Sequence, residues 1–97
     1  MHYIITCTDR PDSGAVRAAT RPRHIDYLTG LGKTIVMGGP RLAADAVTPI
    51  GSTLVVEAAS LEAAEALAAA DPYAQAGLFA EVVVAPFRLV FLNPPEA

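Results

Sequence analysis

The chain has no tryptophan, a single cysteine, and fewer cations than anions, with seven Lys and Arg against ten Asp and Glu. One cysteine, Cys7, cannot form an internal disulfide, so nothing asks for an oxidising compartment. In a strand-like context it reads as a small buried hydrophobe. The net charge of -3 and the scatter of the cations exclude the basic face that nucleic-acid binding draws on. No apolar run approaches the roughly 20 residues of a membrane span. The N-terminus opens on strand-like residues, with no basic stretch leading into an apolar signal core. The expectation is a soluble, cytoplasmic protein with no nucleic-acid or membrane partner.

Chemistry that needs special equipment is short of it as well. The two histidines, His2 and His24, are far apart, and no His-x-x-x-His or carboxylate cluster suggests a metal. No phosphate loop or dinucleotide fingerprint is present. Ser13, Ser52 and Ser60 read as turn, strand-start and cap residues, which leaves hydrolase chemistry without a nucleophile. Neither a metal nor an organic cofactor is expected.

What the chain has is apolar material. Hydrophobic residues make up 53% of its 97 positions, with a mean hydropathy of +0.38, more than one domain of this size usually needs. A single domain over residues 1–92 with a flexible tail at 93–97 is expected. Residues 2–8 are β-branched and aromatic and read as the first strand. A helical pattern follows from Ala15 to Leu31, interrupted by Pro22, where a kink or a short first turn is expected. Lys33 to Gly38 reads as a second strand stopped by Gly38-Gly39-Pro40, and residues 40–50 as a loop. A third strand follows Gly51. Ser60 then caps an alanine-rich helix with Leu61, Ala64, Leu67 and Ala68 on one stripe, ending at Asp71-Pro72. One helical turn from Tyr73 precedes a last strand from Glu81 to Phe91, with Pro86 at a bulge or edge.

This order, βαββαβ, resolves most readily as an α+β, ferredoxin-like, four-stranded antiparallel sheet with both helices on one face. In the last strand Val83, Phe87, Leu89 and Phe91 point one way and Val82, Val84 and Val90 the other. A sheet apolar on both sides needs cover on both, so a homodimer or higher homo-oligomer is expected.

In this topology an early residue of the first helix, the end of the second helix and the end of the second strand share one rim. His24, Asp71 and Gly38-Gly39-Pro40 meet there. His24 lies on a stripe with Leu28 and Leu31, so its ring faces the sheet. Taken alone, that spacing fits a core-edge histidine satisfied by a backbone carbonyl. Asp71 taken alone is the cap of a Pro72-Tyr73 turn. One carboxylate can serve as cap and as partner of His24. Gly39 and Pro40 are either a tight exit or bare backbone that a ligand can approach. Tyr73 could stack on a planar ligand or simply pack. Arg23 and Arg41 could contact an anion, or be solvated charges.

These residues resemble the YCII-related, or YciI-like, family of small bacterial proteins, of the dimeric α+β barrel group. The resemblance runs from Tyr3-Ile4-Ile5 through Arg23-His24, Gly38-Gly39-Pro40 and Gly51-Ser52-Thr53 to Asp71-Pro72-Tyr73, Gly77-Leu78 and Val84-Ala85-Pro86-Phe87. Asp71-Pro72-Tyr73 followed by Gly77-Leu78 is its most specific part, and Pro22 is a departure from the pattern. The resemblance implies a barrel-forming dimer with His24 and Asp71 as active-site residues. The family includes a dehydrochlorinase acting on a chlorinated hydroxyquinol, which implies lyase or isomerase chemistry on a small planar, enolisable or phenolic substrate. His24 would be the base, Asp71 its orienting partner, and Gly39, Pro40, Tyr73 and Arg23 substrate contacts. The competing reading is a non-catalytic small-molecule-binding or accessory protein that uses the same pocket.

Overall fold

The structure is a computed structural model and describes residues 1–93. The expected tail falls mostly outside the described residues. Strand β1 (His2–Asp9) leads into helix α1 (Gly14–Leu31), and a 3₁₀ turn (Gly32–Thr34) leads into β2 (Ile35–Leu42). Strand β3 (Pro49–Glu57), helices α2 (Leu61–Ala70) and α3 (Pro72–Gln75), and strand β4 (Phe79–Phe87) follow. The strands form one sheet in the order β2-β3-β1-β4, every neighbouring pair antiparallel.

Side-chain alternation divides the sheet into two faces. Tyr3, Ile5 and Cys7 of β1 and Ser52, Leu54 and Val56 of β3 point to the helices and are buried. Ala64 and Ala68 of α2 pack against them, their short side chains letting the helix lie close to the sheet. Ser60 caps α2 by accepting a hydrogen bond from the Ala63 N–H at 3.1 Å, satisfying one of the first-turn donors. Tyr27 ties α1 to α2 by donating its hydroxyl to the Leu67 carbonyl at 2.8 Å.

Four expectations are corrected. The first is barrel closure. β2 pairs with β3 and β4 with β1, so β2 and β4 are free edges and the sheet is open, not closed into a barrel. Closure requires edges to pair, and about eight strands are needed for an interior wide enough for side chains. Second, Gly38-Gly39-Pro40 does not end β2 but lies within it, pairing with Leu54, Thr53 and Ser52. An edge strand tolerates Pro40 because the missing N–H need not face a partner. The loop accordingly shrinks to residues 43–48. Asp45 organises it by accepting from the Val47 and Thr48 N–H groups, both at 2.9 Å, and from the Thr48 hydroxyl at 2.6 Å.

Third, β4 starts at Phe79 and stops at Phe87, not Phe91. Phe87 is paired with His2, the first residue of β1, so beyond it no strand is left to bond. Fourth, α1 runs through Pro22 as one span of 18 residues, so no separate short first turn precedes the main helix. Proline cannot bond the Ala18 carbonyl one turn back, yet Pro22 sits on the exposed side and the helix continues.

Candidate active site

Three side chains of α1 are buried, Arg17, Thr20 and His24, at the spacing of one helical face. His24 (7% exposed) meets Asp71 (4% exposed) from the junction of α2 and α3. Its Nδ1 lies 2.8 Å from Asp71 Oδ1 and 2.9 Å from Oδ2. An ionised carboxylate only accepts, so Nδ1 carries a proton, and in the neutral ring Nε2 presents a lone pair. Oδ1 also accepts the Tyr73 N–H at 2.9 Å, with Pro72 at the first helical position. Asp71 is therefore cap and partner at once. The short α3 exists where it does because Asp-Pro starts a helix, and that start fixes the carboxylate in front of His24.

Tyr73 stacks on the His24 ring, centroids 4.0 Å apart and planes 18° from parallel. The Arg17 guanidinium lies 4.6 Å from the same Tyr73 centroid. Arg17 and His24 are two helical turns apart, about 10 Å along the axis, so the phenol ring lies between them. Arg17 is itself clamped, donating from Nε and one terminal nitrogen to Asp9 at 2.8 and 3.0 Å. The same terminal nitrogen donates to the Gly51 carbonyl at 2.9 Å and the Ser52 hydroxyl at 3.0 Å. Burial works against its charge, but hydrogen bonding and charge attraction to Asp9, together with Tyr73, outweigh that and its pKa is raised. Burial also raises the Tyr73 phenol, an effect partly offset by the Arg17 and Arg21 charges.

These groups face a cavity of about 460 Å³ between α1 and the β2–β3 half of the sheet. Its wall includes Arg17, Arg21, His24 and Ile25 from α1, Ser52 and Leu54 from β3, and Tyr73. Gly38, Gly39 and Pro40 complete it from β2. At Gly38 a Cβ would collide with Leu54 Cδ2, so the bare backbone leaves room for that side chain at the cavity floor. Among the described residues His24 Nε2 has no hydrogen-bond partner. It is available to a bound molecule. No group of three or more His, Cys, Asp or Glu among the described residues is arranged to hold a metal.

Of the site residues expected from sequence, His24, Asp71 and Tyr73 are in mutual contact, and Gly39 and Pro40 line the cavity beside them. Arg23 is exposed and is not part of the lining. Arg41 is tied to the sheet, donating to the Cys7 carbonyl at 3.0 Å and the Thr8 hydroxyl at 3.2 Å. The arginines that do line the cavity are Arg17 and Arg21. Their signal was their spacing, seven and three residues before His24. Cys7 is buried beneath the site, and burial together with the Asp71 and Asp9 charges raises its thiol to about 12, so it stays protonated and inert.

A small α+β protein equipped for acid–base chemistry in a cavity is the class that this fold and site define. The chain belongs to the YCII-related domain family, whose model matches residues 1–88. It is 41% identical to Protein YciI of Escherichia coli O6:H1 (strain CFT073), over 94% of this chain and 100% of that protein. A solved structure of 5-chloro-2-hydroxyhydroquinone dehydrochlorinase from Burkholderia phenoliruptrix AC1100, in complex with 2,5-dihydroxybenzoquinone, superposes with a TM-score of 0.84. The two are 36% identical, and the match covers 91% of this chain and 94% of the dehydrochlorinase. An antibiotic biosynthesis monooxygenase shares the fold alone, at a TM-score of 0.56 and 8% identity, over 92% of this chain and 97% of that one. No helix among the described residues is long and apolar enough to cross a membrane.

Proposed function

We propose that the chain is a cofactor-independent lyase or isomerase acting on a small planar, enolisable or phenolic molecule. The observation that carries this reading is the His24 ring, with Nδ1 committed to buried Asp71 and Nε2 unpartnered at the cavity wall. Nε2 takes a proton from a hydroxyl or an activated carbon of the bound molecule, and the electron pair moves into the conjugated ring. Either a leaving group on a neighbouring carbon departs, or the proton returns at another position. Asp71 stabilises the imidazolium formed in the first step. The likeness to a dehydrochlorinase bound to a dihydroxybenzoquinone supports a flat oxygenated ring as the substrate. Pro40 is positioned to pack against such a ring, whereas both faces of Tyr73 are already taken by His24 and Arg17.

The cap and catalytic roles of Asp71 separate by substitution. Asp71→Asn is expected to keep nearly all stability, since asparagine caps about as well as aspartate. It is expected to lose turnover by about 10²-fold or more, because an amide donating to Nδ1 moves the ring proton to Nε2. Asp71→Ala should lose the activity and also about 0.5–2 kcal/mol for the cap. The measurement is chloride release and absorbance change on chlorinated hydroquinones, beside thermal melts. Full activity in Asp71→Asn would leave Asp71 only a cap.

We further propose that a second copy of the chain covers the helix-free face of the sheet. Met37, Val83 and Phe87 are 48%, 49% and 38% exposed there, with half-buried Ile4 between them in the central strand β1. Large apolar side chains left exposed on one sheet face mark an interaction surface. The expected interface exceeds the roughly 800 Å² of most lattice contacts. Sedimentation showing a stable monomer at micromolar concentration would overturn this. The lone buried thiol of Cys7 supports a reducing, cytoplasmic location.

A further inference from the structure

We propose that Arg21 selects the substrate by charge, and that the molecule filling the cavity is a planar ring bearing a negatively charged oxygen. This rests on the cavity being the substrate site. Two guanidinium groups line it and no carboxylate does. The charge of Arg17 is already matched by its two hydrogen bonds to Asp9. Arg21 has no ion pair and no hydrogen bond among the described residues, although it stands one turn from each of its neighbours on the lining, Arg17 and His24. It is the one cation of the wall whose charge is unspent. Asp71 is not part of the lining, and its carboxylate is held by His24 Nδ1 and the Tyr73 N–H.

The planar fork of an arginine suits a carboxylate or a pair of ring oxygens better than a point charge does. Placed beside the base, it meets a second need. When Nε2 removes a proton, negative charge builds on the ring within reach of the same guanidinium. Arg21 is exposed at the rim of the cavity, whereas Arg23, also exposed, lies off the lining and does neither.

Binding tests this without any turnover. Calorimetry is run with benzoate against benzamide, which share shape and differ in charge, and with 4-nitrophenolate against 4-nitroanisole above neutral pH. The wild type is expected to prefer each anion by about tenfold, the scale of one charge-assisted hydrogen bond. Arg21→Gln should erase the preference while leaving the neutral probes unchanged. Lys33→Gln, which removes the same charge outside the lining, should preserve it. A preference confined to benzoate assigns Arg21 to carboxylates, and one confined to nitrophenolate to ionised hydroxyls. No saturable anion binding in the wild type, or an undiminished preference in Arg21→Gln, would overturn the proposal. His24→Ala separates it from the lyase reading. Anion preference retained in His24→Ala supports the role of Arg21 even if no substrate is ever turned over, and loss of turnover with an Arg21-independent preference sinks Arg21 alone.

Discussion

His24→Ala is expected to remove about 10²- to 10⁴-fold of the rate on any substrate found, the usual contribution of a positioned general base, while the protein stays folded. The two effects separate because His24 lies at the cavity wall and not within the cluster of Tyr3, Ile5, Leu54, Val56 and Ala64 that joins sheet to helix. Alanine is also a better helix former than histidine, so α1 does not suffer. What changes is Asp71, which loses one partner but keeps the Tyr73 N–H. Tyr73 loses a stacking neighbour on one side and keeps Arg17. Rates and melts on this variant decide between catalysis and architecture. A rate near that of the wild type would return His24 to the role of a buried polar residue.

The pairing of His24 with Asp71 was only partly readable from sequence. The expectation put His24 early in the first helix, but it lies past the middle of α1 (Gly14–Leu31), and what turns it toward Asp71 is its place on the buried stripe with Arg17 and Thr20. Ser60 and Asp71 were readable as caps because side-chain oxygens ahead of helical runs act locally. Gly38-Gly39-Pro40 was not readable as strand. Glycine and proline punctuate most chains, and only the position of β2 at a sheet edge, a fact about its neighbours, makes Pro40 harmless there. The end of β4 was hidden for a similar reason. The apolar pattern continues past Phe87, but β1 starts at His2, opposite Phe87, and offers nothing further to pair with. Arg23 was singled out because it adjoins His24 in sequence. One helical step turns it about 100° away, whereas Arg17 and Arg21 share the face of His24.

Asp9→Ala is expected to be the most destabilising single change near the site, by about 3–5 kcal/mol, the cost of leaving a buried charge without its partner. Asp9 at the end of β1 and Arg17 in α1 are both nearly buried, with side-chain exposures of 8% and 10%. The guanidinium cannot escape to water without giving up the Gly51 carbonyl, the Ser52 hydroxyl and the face of Tyr73. For a chain of this length each kcal/mol shifts the melting temperature by about 4–8 °C, so the loss is plain in a thermal scan. The paired variant Asp9→Ala with Arg17→Met should recover much of it, because an apolar side chain in the same space carries no unmatched charge. It should not recover activity. Without the cation over Tyr73 the stack that steadies His24 is lost on one side, and the expected sign is a fall in kcat with the fold restored. If Asp9→Ala melts within a few degrees of the wild type, Arg17 swings out to solvent at little cost, and the clamp contributes neither stability nor position.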